Sequence, residues 1–198
     1  MDKLSPELIT SGLGTCWLAR NIVYYDRIGS TNDEARKLAL AGTPEGTLVA
    51  ADEQTAGRGR LQRRWLAPPG QALLFSLIFY PDLVPRDAFR LTMLSSVACA
   101  QAVQNLTGRR PAIKWPNDLL LEGKKLAGIL SEMGQAGERL YAVVGVGLNV
   151  NVDLTPWPDL AQRATSLREI LGRAVPRVPL LQEILRQIEV RYDLLRAG

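Results

Sequence analysis

Residues 47–80 read TLVAADEQTAGRGRLQRRWLAPPGQALLFSLIFY, and the architecture turns on them. Thr47–Glu53 has the composition of a strand. Ala72–Tyr80 is an unbroken apolar run of strand length, which suits a central strand covered on both faces. The connection between them, 54–71, is polar, basic and rich in glycine and proline. A connection that long inside a compact domain usually carries function. Arg58, Arg60, Arg63 and Arg64 crowd into it. Gly57 and Gly59 let the backbone approach a ligand with its N–H groups exposed. Trp65 adds a flat face for a ring. Such a loop neutralises a polyphosphate well, because guanidinium groups match phosphate geometry. Taken alone it reads equally as a solvated basic loop or a nucleic-acid patch.

Working outward, Asn21–Ile28 is expected to be a strand. In the Ser30-Thr31-Asn32-Asp33-Glu34 turn that follows, Thr31 and Glu34 have capping-box spacing. The helix then runs to Ala41, where Gly42 closes it. Pro85–Leu106 has apolar residues at helical spacing and is expected to be a long, largely buried helix. Ala112–Trp115 is a short strand stopped by Pro116. Asp118–Leu121 and Lys125–Met133 flank Glu122-Gly123-Lys124, which predicts a hairpin. Tyr141–Val150 is a strand interrupted by Gly145 and Gly147, and glycine within a strand marks close approach of a ligand or another backbone. Ser166 and Glu169 form a second capping box, and Pro179–Leu195 reads as an amphipathic terminal helix. Strands, one long helix, a hairpin, a strand and further helices predict an α+β domain. Its central sheet is mixed and mostly antiparallel, with helices packed on one face. Residues 1–20, with a helix start at Ser5-Pro6-Glu7, form a short helical lead-in that is too short for a winged-helix DNA-binding domain. The main domain is expected over 21–198.

The bulk numbers bound the chemistry. The 198 residues are 46% hydrophobic and 22% charged, which is enough for one packed domain. Histidine is absent, so imidazole triads, histidine metal sites and imidazole acid–base chemistry are excluded. The net charge is +4, and arginine supplies 19 of the 24 basic residues, favouring planar anions as ligands. Cys16 and Cys99 lie far apart without metal spacing and are expected as thiols in or near the core. No secretory signal and no apolar run of the roughly 18 residues a membrane helix needs are visible, so the expected compartment is the cytoplasm.

Three more stretches concentrate polar groups. Lys114-Trp115-Pro116-Asn117-Asp118 presents Asn117 and Asp118 at a strand end. Lys125-Leu126-Ala127-Gly128-Ile129-Leu130 places a lysine at the start of a strand. Gly145-Val146-Gly147-Leu148-Asn149-Val150-Asn151 is no dinucleotide fingerprint, since the third glycine and the following helix are missing. Taken together, and in this order, the patches resemble the catalytic domain of bacterial biotin–protein ligases, which belong to the biotin–lipoate ligase family with a class II aminoacyl-tRNA-synthetase-like fold. The signature loop GRGRxGRxW appears here as GRGRLQRRW, and KWPND is intact at 114–118. K-x-A-G-I-L spans 125–130, and G-x-G-x-N-x-N spans 145–151. The Ser30-Thr31-Asn32 turn and Gln54 also match, and the resemblance covers roughly Asn21–Leu171.

The resemblance implies an ATP-dependent biotin–protein ligase. Biotin and ATP form biotinyl-5′-AMP with release of pyrophosphate, and biotin then passes to a lysine of the biotin carboxyl carrier domain of acetyl-CoA carboxylase. Joining a carboxylate to an α-phosphate needs positive charge and fixed N–H donors, not histidine. By resemblance, Lys125 and Arg58 are the catalytic candidates. Ser30, Thr31, Asn32, Gln54, Gly57, Arg58, Gly59, Arg60, Lys125 and Gly128 would bind biotin. Arg58, Arg60, Arg63, Trp65, Asn117, Asp118, Lys125 and Asn149 would bind the nucleotide, with Asp118 a possible Mg²⁺ contact. A homodimer through a sheet edge is implied, and neither nucleic acid nor membrane is expected as a partner. Gln62 replaces a glycine of the loop motif. The chain is also expected to lack both the DNA-binding domain of repressor-type members and the C-terminal SH3-like domain. A lipoate–protein ligase-like enzyme and a non-catalytic biotin-binding protein are the alternatives.

Overall fold

A computed structural model describes residues 3–198. Seven strands form one sheet: β1 (Ile22–Ile28), β2 (Leu48–Gln54), β3 (Ala72–Phe79), β4 (Ala112–Lys114), β5 (Asp118–Leu121), β6 (Lys124–Ala136) and β7 (Arg139–Asn149). Their spatial order is β1-β2-β3-β7-β6-β5-β4. Only the β1–β2 pair is parallel. The sheet is therefore mixed and mostly antiparallel, as its sequence pattern predicts. β3 is buried along its whole length because it is central and covered on both sides. Leu73, Phe75, Leu77 and Phe79 enter the main core, while Ile78 faces a second cluster on the opposite side.

The helices are α1 (Pro6–Thr10), α2 (Thr31–Leu40), α3 (Phe89–Thr107), α4 (Pro158–Ala161), α5 (Leu167–Leu171) and α6 (Arg177–Ala197). The two long helices, α3 and α6, supply residues to the main core on one face, as expected. α2 departs from the expected packing on one face and takes the other, where Ala35 and Ala39 meet Val49, Ile78, Tyr141 and Val143. That placement brings the N-terminus of α2 to the end of the sheet where the arginine loop begins. Its cap is Ser30 rather than Thr31, with Ser30 Oγ accepting from the Asp33 N–H at 3.4 Å, so Thr31 is free for other bonds. The second capping box starts as expected, with the Glu169 N–H on Ser166 Oγ at 3.2 Å.

Three further expectations are modified. α3 begins at Phe89, after a separate 3₁₀ turn over Pro85–Asp87. It also leaves Phe89, Met93 and Val97, spaced four apart, exposed along one stripe, so it is only half buried. The lead-in does not stand apart from the domain: Leu4, Ile9, Leu13 and Leu18 are fully buried in the main core. Cys99 is buried but Cys16 is exposed, and both are free thiols. The hairpin between β5 and β6 turns at Glu122 and Gly123, both with positive φ (52° and 79°), which is the geometry of a tight primed turn.

Candidate active site

The connection 54–71 is an ordered miniature hairpin. The Trp65 N–H donates to Gly57 O at 2.9 Å and the Gly59 N–H to Arg63 O at 2.7 Å. A 3₁₀ turn at Arg60–Gln62 closes it. The residue in the left-handed region is Leu61, with φ 55°, and not Gln62. The glycine of the motif is thus replaced next to the strained position, and the strain falls on Leu61.

Beneath this hairpin lies a cavity of about 230 Å³. Its walls come from five places in the chain: the α2 N-terminus, the end of β2, the arginine hairpin, the β4–β5 turn, and the facing strands β6 and β7. Every residue expected at the site lines it except Gly57 and Asn149. Gly57 is buried and lines a neighbouring space with Leu130 and Glu132. A Cβ there would sit 2.7 Å from the Trp65 carbonyl oxygen, so this position requires glycine to close the hairpin. Asn149 lines a second, smaller cavity of about 140 Å³ together with Arg64, Trp65, Leu66, Lys125, Leu160 and Ala164. Arg64, Trp65 and Lys125 are common to both cavities, and the indole stands between them.

The polar end of the main cavity is a closed network. The Thr31 N–H and Thr31 Oγ1 both donate to Gln54 Oε1, at 2.7 and 3.1 Å. Ser76 Oγ lies 2.8 Å from Thr31 Oγ1 and 2.7 Å from Asn32 Oδ1. Asn32 Nδ2 donates to Glu132 Oε2 at 2.8 Å. Each of these groups is thereby fixed in orientation before any ligand arrives.

At the other end, Lys125 Nζ pairs with Asp118 Oδ1 at 2.7 Å and stands 5.7 Å from the centre of the Trp65 ring. Its backbone is held by the 163–165 segment, through the Lys125 N–H on Arg163 O (2.8 Å) and the Thr165 N–H on Lys125 O (2.9 Å). Asn117 works on two elements: its Nδ2 donates to Ile129 O at 3.0 Å, and its Oδ1 accepts from Arg60 at 3.1 Å. Asn149 Nδ2 donates to Thr165 O at 3.1 Å, which ties the second cavity's wall to the sheet.

Glycines in β6 and β7 make room for the indole. A Cβ on Gly147 would fall 2.5 Å from the Trp65 ring, and one on Gly128 3.2 Å from both Trp65 and Lys125. On Gly145 it would overlap Asn32 Oδ1 at 1.9 Å. Gly145 and Gly147 are closely approached, but by the side chains of Asn32 and Trp65 rather than by a ligand or another backbone as expected.

Arg58 takes an unexpected set of partners. Its guanidinium bonds Asp33 on α2 and Glu132 on β6. Partial burial works against its charge, but Glu132 and then Asp33 outweigh that and hold its pKa above the ordinary arginine value. Ser76, Asp33 and Glu132 had no counterpart among the expected site residues. Ser76 did leave a trace in the sequence, as one hydroxyl in the apolar run ALLFSLIF: a polar group buried in a central strand must find partners.

Comparison with known proteins agrees with this geometry. Residues 24–149 match the model of the biotin/lipoate A/B protein ligase family. The chain is 42% identical over 192 residues to the bifunctional ligase/repressor BirA of Bacillus subtilis (strain 168), covering 96% of this chain and 59% of that protein. It is 36% identical over 195 residues to a biotin–[acetyl-CoA-carboxylase] ligase of Mycobacterium tuberculosis, covering 96% and 69%. Among solved structures, it is similar to the biotin protein ligase from Aquifex aeolicus in complex with biotin and ATP, with a TM-score of 0.80, 30% identity, and coverage of 90% and 73%. The Leishmania major biotin protein ligase in complex with biotinyl-5-AMP gives a TM-score of 0.69 at 27% identity, covering 88% and 76%. The chain spans less than two thirds of the length of the BirA relatives it matches. The matched residues include the arginine hairpin, the 114–118 turn, Lys125 and the glycines beneath Trp65, and the chain belongs to the biotin/lipoate A/B protein ligase family.

Proposed function

We propose that this chain is the catalytic domain of an ATP-dependent biotin–protein ligase. The observation that carries the reading is one cavity with a preset amide-and-hydroxyl network at one end. A lysine beneath an arginine-bearing hairpin stands at the other. A neutral ureido ring needs fixed donors and acceptors, which Thr31, Asn32 and Gln54 supply. Its apolar body would lie along Ile129, Leu130 and Val146. The carboxylate tail would then reach Lys125.

In the first step a carboxylate oxygen attacks the α-phosphorus of ATP, the bond to the β,γ-phosphates breaks, and pyrophosphate leaves. Lys125, Arg60, Arg63 and Arg64 line the cavity as cations that can offset the meeting of these anions. The base would occupy the smaller cavity, with Trp65 on one side, Leu160 on the other and Asn149 at its wall. In the second step an acceptor lysine amine attacks the acyl carbon and AMP departs. No nucleophile of this chain is needed. Asp118, paired with Lys125, is the only carboxylate lining the cavity among the described residues and is placed to take the amine's proton. The acceptor would be the biotin carboxyl carrier domain of acetyl-CoA carboxylase.

No group of three or more metal-binding side chains occurs among the described residues. That donor set fits a Mg²⁺ carried mainly by nucleotide phosphates, with Asp118 as the residue able to contact it and charge neutralisation as its contribution. A homodimer is favoured by β6: β5 pairs with it no further than Gly128, so its 131–136 portion has one edge without a partner strand among the described residues. We place the protein in the cytoplasm, in keeping with its two free thiols; among the described residues no helix is long and apolar enough to cross a membrane.

The test is pyrophosphate release on mixing protein, ATP–Mg²⁺ and biotin, with calorimetry for biotin alone. Release with biotin but not lipoate is the expected result. Release with lipoate only would make the chain a lipoate ligase, and biotin binding without release would make it a binding protein.

A further inference from the structure

Arg58 carries one positive charge and sits against two carboxylates, Asp33 and Glu132, so the cluster is formally anionic. A carboxylate or phosphate arriving there gains little from the guanidinium while both partners hold it. The backbone of Arg58 tells a different story. The bonds from Trp65 N–H to Gly57 O and from Gly59 N–H to Arg63 O bracket the Arg58–Arg64 pair. Arg58 and Arg64 are therefore a non-hydrogen-bonded pair, and the Arg58 N–H is turned away from Arg64. Glu132 also accepts from Asn32 Nδ2 at 2.8 Å, so one carboxylate reaches both the network end of the cavity and the arginine hairpin.

We infer that Glu132 and Asp33 are positioning residues that take up the Arg58 side chain as a strut. They fix the first arm of the hairpin against α2 and β6, so that Arg58 serves the ligand through its backbone N–H while Arg60 and Arg63 meet the anions. The strut explains why the hairpin's base is tied by charge on both sides whereas its tip carries an exposed Leu61. It also links occupation of the network end to the hairpin, because Asn32 and Arg58 share Glu132.

The ligand-bound arm of this inference rests on the biotin–protein ligase reading; the ligand-free arm does not. In ligand-free protein, Glu132→Gln, Asp33→Asn and Arg58→Gln should each speed tryptic cleavage after Arg60, Arg63 or Arg64. The expected increase is about tenfold, the factor expected for one lost charged hydrogen bond, and thermal midpoints should stay close to the wild type. The Glu132→Gln/Arg58→Gln double variant should be cut no faster than Arg58→Gln alone, since Arg58→Gln already removes the tie to Glu132. With biotin and ATP, Glu132→Gln and Arg58→Gln should both release the acyl-adenylate faster. Opposite effects would overturn the inference: if Glu132→Gln retains adenylate longer or lowers the KM for ATP while Arg58→Gln does the reverse, the guanidinium itself binds the anion. Unchanged cleavage in both Glu132→Gln and Asp33→Asn would also end it. Wild-type protein that makes no adenylate would remove the functional reading and leave the cleavage result to stand alone.

Discussion

At the residue scale, Lys125 is held by a carboxylate, an indole and a backbone bridge at once. Its ammonium lies where two anions must meet, so Lys125→Ala should slow adenylate formation by roughly 10²–10³-fold, as loss of a preorganised charge donor does. Because its side chain is only partly buried, the thermal midpoint should barely move. Stopped-flow measurement of pyrophosphate release checks this, and a normal rate would remove Lys125 from the chemistry. Gly147 offers a second probe. Alanine there would place a methyl 2.5 Å from the indole, and the strand cannot yield easily because β7 is paired on both sides. Gly147→Ala should displace Trp65, shifting its fluorescence to the red and weakening nucleotide binding more than biotin binding. An unshifted spectrum would show that the ring seats elsewhere. A third probe is the tip of the hairpin. Leu61 occupies the left-handed region at a cost of about 1 kcal/mol relative to glycine. Leu61→Gly should therefore slow adenylate leakage a few-fold, while Gln62→Gly should leave the leakage rate unchanged. The reverse order would place the strained position at 62.

At the scale of elements, the arginine segment reads in sequence as a connection, and the structure makes it a hairpin. Its ladder depends on Gly57 admitting the Trp65 carbonyl, a contact that no local pattern announces. The N-terminal segment was legible only as a short helix. What it lacked was a signal for Glu189, which lies far along the chain in α6. One buried Glu189 carboxylate accepts the N–H groups of Cys16, Trp17 and Leu18 at 2.8, 2.8 and 2.9 Å. Removing it strands three donors, of which the Leu18 N–H is buried, so Glu189→Ala should cost about 3 kcal/mol in denaturant unfolding, by the usual cost of losing a charged hydrogen-bond partner. A loss below about 1 kcal/mol would mean that water replaces the carboxylate. Arg177, fully buried at the start of α6, is bonded to Asp52 at 2.7 Å and to Ala72 O at 3.2 Å, pinning that helix to β2 and β3. In the sequence it looks like one more surface arginine.

At the scale of the whole molecule, stability should fall in alkali. Burial pushes the Cys99 thiol up to about 12 from an ordinary value of 9.0. The unfolded chain thus gives up this proton first, and stability present below pH 9 is lost as the pH rises toward 12. Burial, followed by Glu45, also raises Tyr192, adding to the loss at higher pH. The unfolding midpoint should decline as the pH rises from about 9 toward 12, and Cys99→Ala should decline less steeply than the wild type. Equal slopes would assign the alkaline loss to other groups.

The strand order along the chain, the glycine positions and the four polar patches were readable from the sequence because each rests on local chemistry: periodicity, chain reversal, or a cluster of like charges. The family resemblance followed from their order. The partners of each polar group came only from tertiary structure. Asp33, Ser76 and Glu132 are ordinary residues in their own segments, and they join the site because sheet order brings β3 and β6 beneath the α2 N-terminus. The division of the site into two cavities likewise depends on where one indole comes to rest, against glycines of the β6–β7 hairpin, which lies far along the chain from Trp65. Local sequence sets which groups a segment carries, but hydrogen-bond and charge satisfaction is a property of pairs, and the fold chooses the pairs.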